Sequence, residues 1–313
     1  MDCSIDIPFA VPFVHRLRVT QDVAGRDFAQ LLDLLQAGDA GRAKVLLLAE
    51  ASVRPSVEQI AQRLVGAEAI DLVRSPLFME GGEDVKNSST MVDRILQQIN
   101  DTQLDRRSYI VAIGGGAFLD AVGYAAAVAH RGIRLVRLPT TTLAQADSGV
   151  GVKNAVNLFD KKNWVGTFAV PWAVVNDSQL LKSLPDREFR SGFSEAVKVA
   201  LLKERHTFDW ICDHADLIRN RDGDISQQAI HRSCMLHLRH ITEGGDPFEM
   251  LEARPLDFGH WSAHRLESIS GYTIRHGEAV AIGVAIDCIY SSMKFGFAEQ
   301  DMLRVHRCLT TLG

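Results

Sequence analysis

Three histidines carry the most chemically specific signal in the chain. His260 and His264 lie in Asp257-Phe-Gly-His-Trp-Ser-Ala-His264, and His276 opens His276-Gly-Glu-Ala-Val-Ala-Ile-Gly twelve residues later. Imidazole readily ligates zinc and related ions, so three rings in so short a span mark a candidate divalent-metal site. A spacing of four on a helix lets His260 and His264 reach one ion, as in helical zinc motifs. Positions 261 to 263 are Trp, Ser and Ala, so the His-Glu-x-x-His of metalloproteases is absent. Upstream, Glu195 and Lys198 stand three apart in Phe193-Ser-Glu-Ala-Val-Lys-Val-Ala-Leu-Leu, on one helical face. A surface ion pair of that kind contributes about 0.5 kcal/mol. The apolar neighbours instead predict a buried helix, in which the carboxylate needs a partner, and a metal is one candidate.

A second group of residues suits an anionic ligand. Ile113-Gly-Gly-Gly-Ala-Phe-Leu-Asp120 joins an apolar run to a helical one. Glycines at such a junction let backbone N–H groups approach a phosphate at a helix N-terminus, or simply make a tight turn. The spacing is not Gly-x-Gly-x-x-Gly. Pro139-Thr-Thr-Thr142 follows another apolar run and offers hydroxyls where open α/β sheets bind ligands, or forms a plain turn. Asp147, Lys153, Lys162 and Asn163 then lie in a polar, glycine-containing stretch that reads as a long functional loop.

The elements that must position these residues fall into two kinds. Lys44–Leu48, Tyr109–Ile113, Ile133–Leu138 and Ala173–Asn176 are short apolar runs. Between them lie helical patterns at Ser56–Val65, Thr90–Ile99 (with Ser88 or Ser89 as cap) and Phe118–His130. The alternation predicts parallel strands with helical crossovers. From Asp186 onward the periodicity is helical, as in Phe193–Lys203, Ile230–Ile241 and Glu278–Ser292, with no convincing strand. The expected architecture is α/β plus all-α: a Rossmann-like parallel-sheet domain over 1–180 and a helical domain over 181–313.

With 313 residues, 46% apolar and 23% charged, the chain has the composition of a globular protein. A net charge of −5 gives no reason to expect nucleic acid or an anionic membrane as partner. No apolar run approaches the ~18 residues of a membrane span. The start, Met-Asp-Cys-Ser-Ile-Asp, is acidic where a signal peptide is basic. Five cysteines without a Cys-x-x-Cys pair argue against a disulfide framework, so a reducing cytoplasm is expected.

Taken together, these motifs resemble the 3-dehydroquinate synthase family of sugar-phosphate cyclases, in the family's order from about residue 80 to the end. Gly81-Gly-Glu83-Asp-Val-Lys86 is similar to the first NAD-contacting loop, and Gly114-Gly115-Gly116 with Asp120 to the pyrophosphate turn. Arg131-Gly132, Thr140-Thr141 and Ala144-Gln-Ala-Asp147 follow in register. Lys153, Lys162 and Asn163 match polar residues that bind cofactor and substrate, and Leu180-Leu-Lys-Ser183 falls on another NAD-contacting segment.

The resemblance implies Glu195, His260 and His276 as metal ligands, with Lys198 and His264 beside the substrate; this replaces the pairing of His260 with His264. It implies NAD and Zn2+ (or Co2+) as cofactors, a sugar phosphate as substrate, an active site between the two domains, and a homodimer whose partner supplies Arg131. The implied enzyme is a carbon–oxygen lyase of shikimate-pathway or cyclitol type. A ring carbinol gives hydride to the nicotinamide, and the resulting ketone acidifies the adjacent C–H. Phosphate leaves, with the substrate's own phosphate acting as base, hydride returns, and an aldol closure gives a carbocycle with no net oxidation.

Departures from the family pattern fall near the substrate. Ser148-Gly-Val-Gly-Val-Lys-Asn154 stands for Ser-Ser-Val-Gly-Gly-Lys-Thr, and His237 for a lysine near the substrate carboxylate. Ala253 and Asp257 replace an arginine and an asparagine, with Arg254 one place off. The chain ends at Gly313, before the position of the family's C-terminal substrate lysine. Two or three lost charged contacts, each contributing about 1.5–3 kcal/mol, bring a sister activity into view: a valiolone-type C7-cyclitol synthase acting on an uncarboxylated heptulose phosphate. A metal-dependent polyol dehydrogenase and a non-catalytic relative are the readings from other classes.

Overall fold

The computed structural model describes residues 4–37, 41–87, 89–159, 161–250 and 255–313; Ser88, Ala253 and Arg254 lie outside them. The apolar runs form strands because each is buried on both faces. After β1 (Leu17–Thr20) and a short helix α1 (Phe28–Leu32), the chain enters β2 (Ala43–Glu50), whose residues 45 to 49 are fully buried. Helix α2 (Arg54–Val65) returns it to β3 (Ile70–Leu72) and β4 (Leu77–Met79), both on the outer flank of β2. Helix α3 (Ser89–Asp101) then crosses to β5 (Tyr109–Gly114), and α4 (Gly116–Val128) to β6 (Arg134–Pro139). With β9 (Ala173–Asp177) the sheet runs β1-β9-β6-β5-β2-β3, with β4 also on β2, and every pairing is parallel. One face packs on α1 and α2, the other on α3 and α4.

The order places a topological switch between β2 and β5, because the chain leaves β2 in one direction for β3 and β4 and returns on its other side. Open α/β sheets bind ligands at the carboxyl ends of strands at such a point. The glycine turn, Thr140 and the end of β2 all meet there: Thr140 N–H donates to Gly114 O at 3.0 Å, and Gly115 N–H donates to Glu50 Oε1 at 3.0 Å.

Two local expectations are corrected. The helix expected to reach His130 ends at Val128, because His130, Arg131 and Gly132 all take positive φ (50°, 62° and 118°) to turn the chain into β6. The stretch expected as a long loop is largely structured. A π-helical turn over Ala144–Ser148 leads into an antiparallel hairpin of β7 (Lys153–Leu158) and β8 (Lys161–Phe168). Its strand pattern is hidden because the buried positions of β7 include Asn154 and Asn157, whose partners come from elsewhere in the chain. Arg137 bonds Asn154, and the Asn157 amide donates to Asn87 Oδ1 at 2.7 Å while its carbonyl accepts from Asn163 N–H at 2.8 Å.

After β9 the described residues form helices: α5 (Asp186–Ser191), α6 (Phe193–Lys203), α7 (Arg205–Arg219), α8 (Gly223–Glu243), α9 (His260–Ile269), α10 (His276–Phe295) and α11 (Glu299–Leu312). They enclose a second apolar core around Phe193, Val197, Phe208, Ile211 and Val280. None of the described helices is long and apolar enough to cross a membrane.

Candidate active site

A cavity of about 270 Å³ opens between the sheet and the helices, lined from the sheet side by Lys86, Gly116, Asp120, Asp147, Lys153, Lys162 and Asn163. From the helical side it is lined by Lys198, His237, Asp257, His260, His264 and His276. Helix α6 supplies the central carboxylate. It is buried from Phe193 to Ala200, so Glu195 (1% exposed) and Lys198 (2%) point into the protein and need each other: Nζ lies 2.5 Å from Oε2.

The two histidines that complete the group come from different helices. Gly259 precedes α9 with φ 78°, and a Cβ there would stand 2.7 Å from Val284 N; a Cβ on Gly283 would be 1.9 Å from Gly259 O. Only glycines allow the first turn of α9 to lie directly on α10, and Gly259 N–H donating to Asp287 Oδ2 (2.6 Å) pins it there. This contact sets His260, at the start of α9, beside His276, at the start of α10, with ring centroids 5.5 Å apart.

The geometry fits a divalent cation. His260 Nε2 is 3.3 Å and His276 Nε2 3.7 Å from Glu195 Oε1. A tetrahedral ion with bonds of about 2.0–2.1 Å separates its ligand atoms by about 3.3 Å. The other ring nitrogens are already engaged: His260 Nδ1 with Phe258 O at 3.3 Å, and His276 Nδ1 with Glu267 Oε2 at 3.0 Å. Metal-bound histidines are held in this way, their lone pair presented at the opposite nitrogen. Two such lone pairs facing carboxylate oxygens repel each other, and neither Glu195 oxygen has a well-formed hydrogen bond among the described residues. Protonating both rings would place two imidazolium ions and Lys198 around one buried carboxylate, whereas one divalent ion satisfies all three donors.

The electrostatics agree. Burial works to raise the Glu195 carboxyl, but the Lys198 charge and then the two histidines hold it well below the usual range. Burial works against charge on His276, yet the carboxylates of Glu195 and Glu267 beside it raise it above the ordinary histidine value. Such a proton is one that a cation displaces.

His264 is not in the group that Glu195 forms with His260 and His276. Its ring lines the cavity, 5.4 Å from His260 and 6.0 Å from His276 by centroids. Desolvation at the cavity wall, with the charges of His260, His276 and Lys162, draws its pKa down to about 4. His264, Glu267 and His276 also lie close enough to share an ion. That set has the Lys162 ammonium 2.7 Å from Glu267 Oε1, which opposes a second cation, and it would use the nitrogen of His276 turned away from Glu195.

On the sheet wall, Lys86 is 2% exposed and bonds Asp120 Oδ2 at 2.7 Å and the Asn163 amide oxygen, with Glu83 3.8 Å away. Burial raises the Asp120 carboxyl more than Lys86 lowers it. Gly116 is needed for close approach, since a Cβ would meet Ser148 Oγ at 2.7 Å. Fully buried Arg137 shapes the next stretch by donating to Gly149 O (3.1 Å) and Gly151 O (2.9 Å). Lys153 pairs with Glu249 at 2.5 Å, and His237 Nδ1 lies 2.6 Å from Asp147 Oδ1.

The residues singled out from sequence divide as follows. Glu83, Lys86, Gly116, Asp120, Asp147, Lys153, Lys162, Asn163, Lys198, His260, His264 and His276 line the cavity, with Glu195 behind them. Gly114, Gly115, Thr140 and Thr141 sit at the strand ends beside it, where Thr141 Oγ1 accepts from Ala144 N–H at 3.1 Å. Leu180 is buried in the sheet core, while Ser183 is exposed and Arg131 lies exposed at the α4–β6 turn; none of the three lines the cavity. Sequence reasoning missed Glu267, Arg137, Glu249 and Glu50. Glu267, one turn from His264 on α9, had a readable signal in its spacing; the others act across long separations.

Comparison with known proteins follows the same division. Residues 76–191 match the 3-dehydroquinate synthase N-terminal family and residues 192–313 the 3-dehydroquinate synthase C-terminal family. The 3-dehydroquinate synthase of Geobacter sp. (strain M21) is 39% identical over 264 residues, 84% of this chain and 69% of that protein. Among solved structures, 2-epi-5-epi-valiolone synthase from Streptomyces hygroscopicus, with NAD+ and Zn2+ bound, is similar at a TM-score of 0.86 and 26% identity, covering 98% of this chain and 83% of that one. A 2-deoxy-scyllo-inosose synthase complexed with carbaglucose-6-phosphate, NAD+ and Co2+ gives 0.81 and 25%, over 95% and 78% of the two chains. With both halves matched in order and a relative of this identity spanning most of its length, the chain belongs to the 3-dehydroquinate synthase family.

Proposed function

We propose that this chain is a sugar-phosphate cyclase of the 3-dehydroquinate synthase type: a carbon–oxygen lyase that eliminates phosphate from a seven-carbon keto-sugar phosphate and closes the product to a carbocycle. The observation that carries the reading is one cavity in which a cation-fitting Glu195, His260 and His276 face a glycine turn at the switch point of a parallel sheet. The cofactors are NAD and Zn2+ or Co2+, in keeping with those bound by the two structural neighbours. When bound, the nicotinamide supplies a reversible hydride acceptor and the metal a Lewis acid for a substrate oxygen.

The chain's own residues hold and orient the substrate. The glycine turn, with Glu83, Lys86, Asp120, Thr140 and Thr141 around it, holds the dinucleotide. Lys153 and Asn163 on the hairpin donate to phosphate and hydroxyls, fixing the leaving phosphate near the proton that must be lost. Lys198, once Glu195 is engaged by a cation, is released from its 2.5 Å pairing to donate to the substrate. His264, at the cavity wall, holds or passes a proton at a ring nitrogen. Arg131, remote from this cavity, acts from the partner copy of a cytoplasmic homodimer.

One observation favours the uncarboxylated substrate within this class. Apart from Lys198, which a cation on Glu195 would release, each lysine on the cavity wall has a carboxylate partner: Lys86 with Asp120, Lys153 with Glu249 and Lys162 with Glu267. Six carboxylates and no arginine line the cavity among the described residues, so a further substrate carboxylate meets repulsion. Phosphate release is the test, with NAD and Zn2+ present and a heptulosonate or a heptulose phosphate as substrate. Faster release from the heptulose phosphate supports the C7-cyclitol reading, and faster release from the heptulosonate supports dehydroquinate synthesis. Release from neither, or net NADH formation from a simple polyol, overturns the cyclase reading.

A further inference from the structure

Glu267 is only 3% exposed, and each of its carboxylate oxygens accepts from a residue on a different element. Oε2 accepts from His276 Nδ1 at 3.0 Å, across the gap between α9 and α10. Oε1 accepts from Lys162 Nζ at 2.7 Å, a partner 105 residues away on β8. The His276 nitrogen bound to Glu267 is the one opposite Nε2, which faces Glu195. A carboxylate at Nδ1 fixes the ring's tautomer and its rotation, and raises the basicity of the opposite nitrogen.

We propose that Glu267 is a positioning residue for the metal ligand His276, and that Lys162, by holding the second oxygen of Glu267, ties the β7–β8 hairpin of the sheet half to the metal site of the helical half. The inference rests on the reading of Glu195, His260 and His276 as metal ligands. It adds a chain of contacts, Lys162 to Glu267 to His276, through which the orientation of a cavity-lining lysine and of a metal ligand depend on each other. Bound metal then favours the hairpin position seen here, and displacement of the hairpin loosens His276.

The test is metal affinity. Full-length protein stripped of metal is titrated with Zn2+ in competition with a chromophoric chelator, and with Co2+ followed by its visible absorption. Removing an outer carboxylate of this kind lowers metal affinity about 10–100-fold. Glu267→Ala is expected to do so and to alter the Co2+ spectrum, while Glu267→Gln, which keeps an acceptor for Nδ1, recovers part of the affinity. Lys162→Met is expected to weaken Zn2+ binding in the same direction by a smaller factor. A merely structural role for Glu267 would lower the metal-free melting temperature and leave the Co2+ spectrum of folded protein unchanged. Wild-type Zn2+ affinity in Glu267→Ala, with His276→Ala abolishing binding, overturns the positioning role and leaves the metal site standing. Unchanged binding in His276→Ala overturns both. Should Glu267→Ala fail to fold, wild-type affinity and Co2+ spectrum in both Glu267→Gln and Lys162→Met overturn the proposal.

Discussion

The cavity has two buried ionic clusters on opposite walls, and they are built on different principles. On the sheet side, Lys86 is closed by Asp120, Asn163 and Glu83, so donors meet acceptors and the cluster is complete within the protein. On the helical side, Glu195 meets two histidine nitrogens whose Nδ1 partners turn Nε2 toward it, with Lys198 paired to its other oxygen. The first cluster is satisfied by its own charges while still facing the cavity; the second is arranged as a group that could hold a cation. Burial of charge is therefore a poor guide to function by itself, and the count of donors against acceptors separates the two.

That contrast can be broken most sharply at Glu195. Glu195→Gln removes the only carboxylate among the three proposed ligands, and Zn2+ content by elemental analysis is expected to fall to background. His264→Ala is expected to leave the content nearly intact. The reverse pattern would place the ion on the other histidine pair. A smaller effect is expected on the sheet wall, where Lys86→Met strands Asp120 in a desolvated setting. Breaking a buried pair costs about 3–5 kcal/mol, read as a lower denaturant midpoint that does not depend on Zn2+. A Lys86→Met protein that loses metal but not stability would mean that the two walls are not independent.

The smallest expected effect concerns Glu50 and pH. Burial raises its carboxyl above the usual range, against the opposing hydrogen bonds from Gly115 N–H and Ser52. Because the folded value lies above the unfolded one, the native state takes up the proton first as pH falls, so the penalty for ionised Glu50 is present at neutral pH and fades on acidification. Glu50→Gln is therefore expected to melt at a higher temperature than wild type at neutral pH and to lose that advantage near pH 4, where wild-type Glu50 is itself largely protonated. An advantage independent of pH would assign the effect to packing instead of charge.

Much of the fold was readable from local pattern. Strands β2 and β5 are nearly continuous apolar runs because parallel strands covered on both faces have no polar side to alternate with, whereas β6 carries Arg134 and the buried Arg137 among its apolar residues. Strands β1, β3 and β4 span only three or four residues, too short for a pattern to emerge. The β7–β8 hairpin escaped because Asn154 and Asn157 fill buried positions that a periodicity argument reserves for apolar side chains. At the site, the residue types were legible from local pattern, but the set was not: spacing suggested His260 with His264, the family resemblance gave Glu195, His260 and His276, and the structure brings those three within reach of one another where α9 and α10 meet at Gly259 and Gly283.

By itself the sequence determined the alternation of strands and helices, the change of character after residue 185, the glycine turn and the supply of metal-binding side chains, because each is a property of a few neighbouring residues. Only the tertiary structure decided how closely the candidate ligands approach one another, that Glu267 bonds both His276 and Lys162, and that each lysine on the cavity wall faces a carboxylate. Those are relations between atoms separated by up to 105 residues in the chain, and they exist only once helices have packed and side chains have lost their solvent.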